Sequence, residues 1–379
     1  MPDKDVSGSK MRKTGFLFNE ACFWHSGGNY AFVQPVGDNV QPPAGSGLPE
    51  NPETKRRLKN LVEMTGLMKD LNCPDGAPSS IEDLIRVHPK SYVDDFKAMS
   101  DAGGGELNDR APFGPGGFDI ARQSSGLVQA ALQSVLRGEL DNAYALSRPP
   151  GHHCLPDQPM GFCLLNNIAI AIEAARAAGL AERFAVIDWD VHHGNGTQAI
   201  FYDRDDVLTV SLHQENNFPI GQGLVSERGE GRGEGFNVNV PLLPGGGHDI
   251  WLAAFDRIVV PTVQAYKPDV IIVACGYDAA MFDPLSRMMC KAETFAAMTE
   301  RTMELAADLC GGKLVLAHEG GYSEVYVPFC GHAVLETLSG SSVSAPDPFT
   351  ARIDGQQANP RHKALQLEMI EEMAKVLVG

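Results

Sequence analysis

The stretch AVIDWDVHHGNGTQ, residues 185–198, decides how this chain is read. An apolar run, Ala185 to Ile187, leads directly into Asp188, Asp190, His192 and His193. Buried charge is costly unless it is paired or holds a metal. The segment is therefore either a surface turn or one wall of a site, and the choice depends on whether other parts of the chain repeat the pattern.

They do. Apolar runs that read as strands cover 142–147 (NAYALS), 183–188 (RFAVID), 206–213 (DVLTVSLH), 269–276 (DVIIVACG) and 313–321 (KLVLAHEGG), with a first strand at 14–21. Helical periodicity lies between them, over 119–137, 165–178, 249–265, 293–309 and near 365–377. A further helix begins at Pro52, with Asn51 as its cap and Leu58, Leu61, Val62, Met68 and Leu71 as its apolar face. Pro- and Gly-dense segments at 35–54, 101–117 and 223–238 read as long loops. Strands alternating with helices predict an α/β fold: one open, mainly parallel sheet with helices on both faces. The strands are apolar at consecutive positions, as expected when both faces are covered. No internal repeat or linker divides the chain. The organisation expected is a flexible N-terminal extension over 1–12 and a single catalytic domain over 13–379.

Chemically capable residues follow the strands: His152 and His153 after the strand at 142–147, the Asp188–His193 group, His213, then Tyr277 and Asp278, then His318, Glu319 and Tyr322. Open α/β sheets build their sites at the C-terminal strand ends, so these clusters converge on one site walled by long loops. Asp190 and His192 are two apart and project to one side of an extended segment, as does Asp188. With Asp278 they offer an O, N, O donor set, which suits a divalent cation such as Zn²⁺ with positions left for water and substrate. A buried Asp–His network without metal is the alternative. His152 and His153 are candidates for proton transfer. Tyr322, after Gly320 and Gly321, is a candidate donor to a developing oxyanion.

Composition narrows the partners. With Lys+Arg 31 and Asp+Glu 48, the net charge is −17. Such a chain gains nothing from a phosphate backbone, so nucleic acid is not an expected partner; cationic substrates or basic peptides would be drawn in. Eight scattered cysteines without a C-x-x-C pair, and a polar N-terminus, point to a reducing, cytoplasmic setting with no membrane partner. Cys154 reads as a packed neighbour of the histidine pair. No dinucleotide fingerprint, P-loop or G-x-S-x-G elbow occurs.

The motifs RPPGHHC (148–154), MGFCLLNN (160–167), DWDVHHGNGTQ (188–198), GYDAAMFDPLSRM (276–288) and HEGGY (318–322) resemble, in order, those of the zinc-dependent histone deacetylases, in the bacterial class II-like branch of the arginase/deacetylase fold. The resemblance implies a zinc-dependent amidohydrolase that removes acetyl or other acyl groups from lysine side chains of proteins or peptides, with an acetylpolyamine or other small acyl-amine as the alternative substrate. By position it implies Asp190, His192 and Asp278 as metal ligands, His153 as general base, His152 as the second, mainly electrostatic imidazole, and Tyr322 as the group polarising the acyl carbonyl. Asp188 and Asn195 would back the two histidines. Phe162, Phe218 and Leu285 would line a tunnel for the lysine chain. A structural K⁺ near Asp188 and Ser211 is implied as well, and His193, His213 and His318 are left as structural. The resemblance leaves a homo-oligomer open. Tyr277 and Phe282 depart from the family's usual residues and are expected to reshape the tunnel wall. Leu285 is apolar where polyamine-selecting relatives place an acid nearby.

Overall fold

A computed structural model describes residues 11–37, 39–41, 47–108 and 110–379. The strands, in chain order, are β1 (Thr14–Leu17), a small hairpin of β2 (Tyr30–Ala31) and β3 (Gln34–Pro35), and a second of β4 (Gly105–Glu106) and β5 (Pro112–Phe113). They continue with β6 (Asn142–Ala145), β7 (Phe184–Asp188), β8 (Val207–Gln214), β9 (Asn237–Leu242), β10 (Val270–Cys275) and β11 (Leu314–His318). The central sheet has seven strands in the order β1-β6-β11-β10-β7-β8-β9. Every pairing in it is parallel, so the open sheet expected from strand–helix alternation is present and wholly parallel.

Strand side chains alternate between two cores. Along β7, Ala185 and Ile187 join Leu58, Phe295 and Leu335 from the helices Glu53–Thr65, Ala292–Cys310 and Val327–Ser339. Phe184 and Val186 point the other way, to Leu127, Val128, Ile168 and Ile172 of the helices Gly117–Leu136 and Asn167–Ala177. Burial on both faces is the reason the strands read as continuous apolar runs, and each fully buried Ile or Leu contributes roughly 1.5–3 kcal/mol.

Several elements differ from expectation for identifiable reasons. The first strand stops at Leu17, because Asn19 accepts from Ala21 N–H and starts a 3₁₀ turn, Glu20–Trp24. The segment expected as one helix over 249–265 is helix His248–Ala254, a π segment Phe255–Val259, and helix Val260–Tyr266. Pro261 lacks the N–H that an unbroken α-helix would donate there. The glycine-rich loop expected over 223–238 overlaps the first two residues of β9, an edge strand that carries Pro241. The helix expected from Pro52 is Glu53–Thr65, with Pro52 at its N-cap; Asn51 accepts from Glu53 N–H at 2.9 Å just ahead of it, and Met68 and Leu71 lie beyond its end. The expected N-terminal extension lies mostly outside the described residues; Arg12, within it, donates its N–H to the Ser339 carbonyl.

The order of strands positions the site. β6, β11, β10, β7 and β8 are consecutive neighbours, and His152–His153, His318–Tyr322, Tyr277–Asp278, Asp188–His193 and His213 lie at or just beyond their C-terminal ends, in that order.

Candidate active site

The loop after β7 turns back on itself because its side chains bond its own amides. Asp188 Oδ1 accepts from Asp190 N–H (3.0 Å), and Asp190 Oδ1 accepts from His192 N–H (2.9 Å). Asp278, after β10, reaches across to accept from Val191 N–H through Oδ1 at 2.7 Å. These bonds bring Asp190, His192 and Asp278 together, fully buried, with one potential ligand atom from each within 4.8 Å of the others. His192 Nδ1 lies 2.9 Å from Asp190 Oδ1 and 3.1 Å from Asp278 Oδ2.

Two observations test the fit of a cation. Although His192 Nδ1 lies 3.1 Å away, Asp278 Oδ2 is buried and accepts no hydrogen bond, which is costly for a carboxylate oxygen. A Cβ built on Gly320 would lie 2.1 Å from that oxygen and 2.5 Å from Asp190 Oδ2. The two carboxylates thus face a space that only glycine leaves open. Burial and the charge of Asp190 push the pKa of Asp278 up to about 6 despite His192. Two acids and one imidazole converge, and a divalent ion is the natural neutraliser of that charge. The residues fit.

The proposed proton-transfer pair sits alongside. The His152 and His153 ring centroids are 3.9 Å apart, and His153 is 5.9 Å from His192. His152 Nδ1 is 2.9 Å from Asp188 Oδ2, and His153 Nδ1 is 2.8 Å from Asn195 Oδ1. The different backing groups separate the two imidazoles. Burial opposes charge on His152, but Asp190 and Asp188 outweigh it and push its pKa up to about 10. Burial, reinforced by His152 and His192, holds His153 well below the ordinary histidine range. His153 is therefore neutral, with Nδ1–H directed at Asn195 and Nε2 open as an acceptor. Tyr322 lies 6.4 Å, ring to ring, from His192. Burial, then Asp278 and Asp190, raise its pKa well above the usual phenol value, so it stays a donor.

A cavity of about 190 Å³ leads to these groups. Its buried end is His153, His192 and Tyr322, its walls include Phe162, Phe218 and Leu285, and its rim includes Phe32, Pro284 and Arg287. Phe162 adopts a left-handed backbone (φ 68°) and stacks edge-on against Tyr322 at 5.7 Å. That conformation costs a non-glycine residue roughly 1–3 kcal/mol. Tyr277 and Phe282 do not line this cavity, which corrects the expectation that they shape the tunnel. Tyr277 is buried against Phe295 and His318, and Phe282 packs on Tyr326 and Phe349. Ser211 is the register neighbour of Asp188 across β7 and β8; its Oγ lies 3.0 Å from His213 Nδ1 and 3.4 Å from His193 Nδ1. Cys154 is buried, and burial raises its thiol pKa, which fits a packing role.

The role of Glu319, and the involvement of Arg148, Glu50 and Lys55, escaped sequence reasoning. Glu319 Oε2 accepts from Gly151 and His152 N–H (2.7 and 3.1 Å), clamping the histidine pair to the end of β11. Glu319 also approaches His152 and Cys163 closely enough to suggest a second metal group. Its bonds to the amides, and the burial that holds the Cys163 thiol protonated, give that group a structural reading instead. Arg148, 1 % exposed, donates to Glu50 Oε1 (2.9 Å) and to the carbonyls of Cys22 and His25 (2.9 and 3.0 Å). Lys55, also buried, bonds the same Glu50 oxygen at 3.3 Å and stands 5.7 Å from the Tyr322 ring centroid. An acid beside a glycine pair, or a helix that carries a lysine on its apolar side, is the only signal the sequence offers for them.

Comparison with known proteins shows the family. The profile of the histone deacetylase domain matches residues 48–338. The chain belongs to the histone deacetylase family. A histone deacetylase-like amidohydrolase of Pseudomonas aeruginosa is 56 % identical over 363 residues, 96 % of each chain. A probable deacetylase of Archaeoglobus fulgidus is 38 % identical over 303 residues, 78 % of this chain and 84 % of that one. Among solved structures, the crystal structure of the HDA15 HD domain superposes with a TM-score of 0.78 at 32 % identity, covering 96 % of this chain and 98 % of that one. Membership in the histone deacetylase family carries deacetylase-type hydrolysis of an acyl-amine. Among the described residues no helix is long and apolar enough to cross a membrane.

Proposed function

We propose that this histone deacetylase family member is a zinc-dependent deacylase acting on acyl-lysine side chains of proteins or peptides. The observation that carries the reading is the meeting of Asp190, His192 and Asp278 beside His153 and Tyr322 at the buried end of one narrow cavity. At about 190 Å³ that cavity is smaller than the ~300–1,000 Å³ of sites for drug-sized ligands. It suits an extended side chain better than a ring system.

Asp190, Asp278 and His192 Nδ1 would hold the zinc. When bound, the ion supplies Lewis acidity toward the acyl oxygen and lowers the pKa of a water. His153 Nε2 takes the proton as water attacks the carbonyl carbon, with Asn195 keeping the ring in the tautomer that can accept it. His152, tied to Asp188, supplies positive character beside the developing oxyanion, and Tyr322 donates its phenol proton toward that oxygen. His153 then returns the proton to the departing amine. Phe162, Phe218 and Leu285 exclude water from the methylene chain. We propose, on the resemblance alone, a structural potassium beside Asp188 and Ser211.

The net charge of −17 favours a second reading, an acetylpolyamine substrate. The decisive experiment has two parts. Chelation is expected to abolish hydrolysis of an acetyl-lysine peptide, with recovery on adding zinc; full activity in stripped protein would overturn the metal role. Tyr322→Phe is expected to lose roughly 10²–10³-fold in rate while retaining its metal, and unchanged turnover would remove the phenol from the chemistry. Acetylputrescine turned over faster than the peptide would favour the second reading.

A further inference from the structure

Among the described residues, the cavity's charged lining residues apart from its histidines are Arg110 and Arg287, with no acid beside them in that lining. In a chain with 17 more acids than bases this local reversal of sign calls for a cause. Both arginines are fixed in place. Arg110 has a left-handed backbone (φ 57°), its carbonyl accepts from Phe162 N–H at 2.7 Å, and its guanidinium lies 5.4 Å from the Phe218 ring centroid. Phe218 in turn lies 5.0 Å from His153, ring to ring, so the Arg110 charge stands one aromatic ring outside the proposed base. Arg287 is held by both backbone groups: its N–H donates to Gln214 Oε1 (2.7 Å) and its carbonyl accepts from Gly245 N–H (2.7 Å). Its side chain is exposed at the rim. The one hydrogen bond it makes among the described residues runs from Nη1 to the Ser286 carbonyl (3.1 Å), which leaves most of its five N–H donors facing solvent.

We propose that this rim selects acyl-lysine presented beside a carboxylate, as in an acidic peptide segment, and that Arg287 is a specificity-determining residue. Long-range attraction from an acidic chain favours cations, but at the mouth a second amine would meet the exposed Arg287 guanidinium at close range. A carboxylate there gains charge-assisted, geometrically matched hydrogen bonds. This rests on the deacylase reading and narrows it away from polyamines.

The test compares kcat/KM for acetyl-lysine peptides of equal length with neutral, aspartate or lysine neighbours, for an acetyl-lysine with a free α-carboxylate or an α-amide, and for acetylputrescine. Aspartate-flanked peptide is expected to exceed lysine-flanked peptide by roughly 5–10-fold at low salt, mainly through KM, with the gap shrinking as salt screens it. In Arg287→Gln the ratio should fall toward one. The α-carboxylate pair shows whether the anion comes from the chain end or from a side chain. Equal turnover of both flanked peptides, preference for lysine flanks or acetylputrescine, or a ratio that survives Arg287→Gln would each overturn the proposal. Failure on the neutral peptide would instead count against the deacylase reading.

Discussion

Gly320 shows how tightly single positions are specified. Its amide donates to Asp190 Oδ2 at 2.7 Å, and its missing side chain leaves the space into which both carboxylates point. Gly320→Ala would place a methyl group there. We expect a folded protein that binds less than a tenth of the parent's zinc, measured by metal analysis after dialysis; normal loading would show that the carboxylates close on an ion elsewhere. The convergence of Asp190, His192 and Asp278 was legible in the sequence because each follows an apolar run that ends at the same sheet edge. Arg110, Arg287, Lys55 and Glu50 were not, because they come from loops and a helix whose meeting is decided only by tertiary packing.

At the scale of elements, the parallel strands were legible from apolar runs and their boundaries were not. The helix Val327–Ser339 went unread: Val327, Pro328, Cys330, Val334, Leu335 and Leu338 are buried on so many sides that no single stripe stands out. The link between helices carries a pH dependence. His88 precedes the helix Lys90–Asp101; its Nδ1 donates to the Pro156 carbonyl (2.8 Å), and its Nε2 accepts from Asn166 N–H (3.0 Å) at the cap of the helix Asn167–Ala177. Protonation would break the second bond, and burial lowers its pKa to about 4. The unfolded chain binds this proton near pH 6.5 and the folded one only near 4, so the unfolded state holds more protons between those values and stability falls as pH drops through that window. The contribution amounts to roughly 3 kcal/mol. Burial lowers His25, His213 and His332 to about 4 as well. Denaturant melts from pH 7 to 4.5 should show a steep decline, and His88→Gln should reduce proton uptake on unfolding by about one. An unchanged slope would mean that the Asn166 bond does not fix the histidine's charge.

At the scale of the molecule, the last helix, Pro360–Leu377, closes one core. It buries Ile370, Met373 and Leu377 against the segment His248–Val259 and the edge strand β9. At roughly 1.5–3 kcal/mol per buried side chain, its removal costs a large part of the ~5–15 kcal/mol that holds a typical domain together. A chain ending at residue 358 should lose its cooperative thermal transition or melt far lower, and a melt within a few degrees of the parent would contradict this packing account. The other end of the core is secured differently. Arg148, four residues before His152 in the chain, fastens the carbonyls of Cys22 and His25 and, with Lys55, the acid Glu50. Cys22–His25 and Glu50 are thereby tied to the root of the histidine pair. The floor under the histidine pair would then hold its shape through turnover, so a slow release of product would have to arise at the mouth of the passage and not at its base.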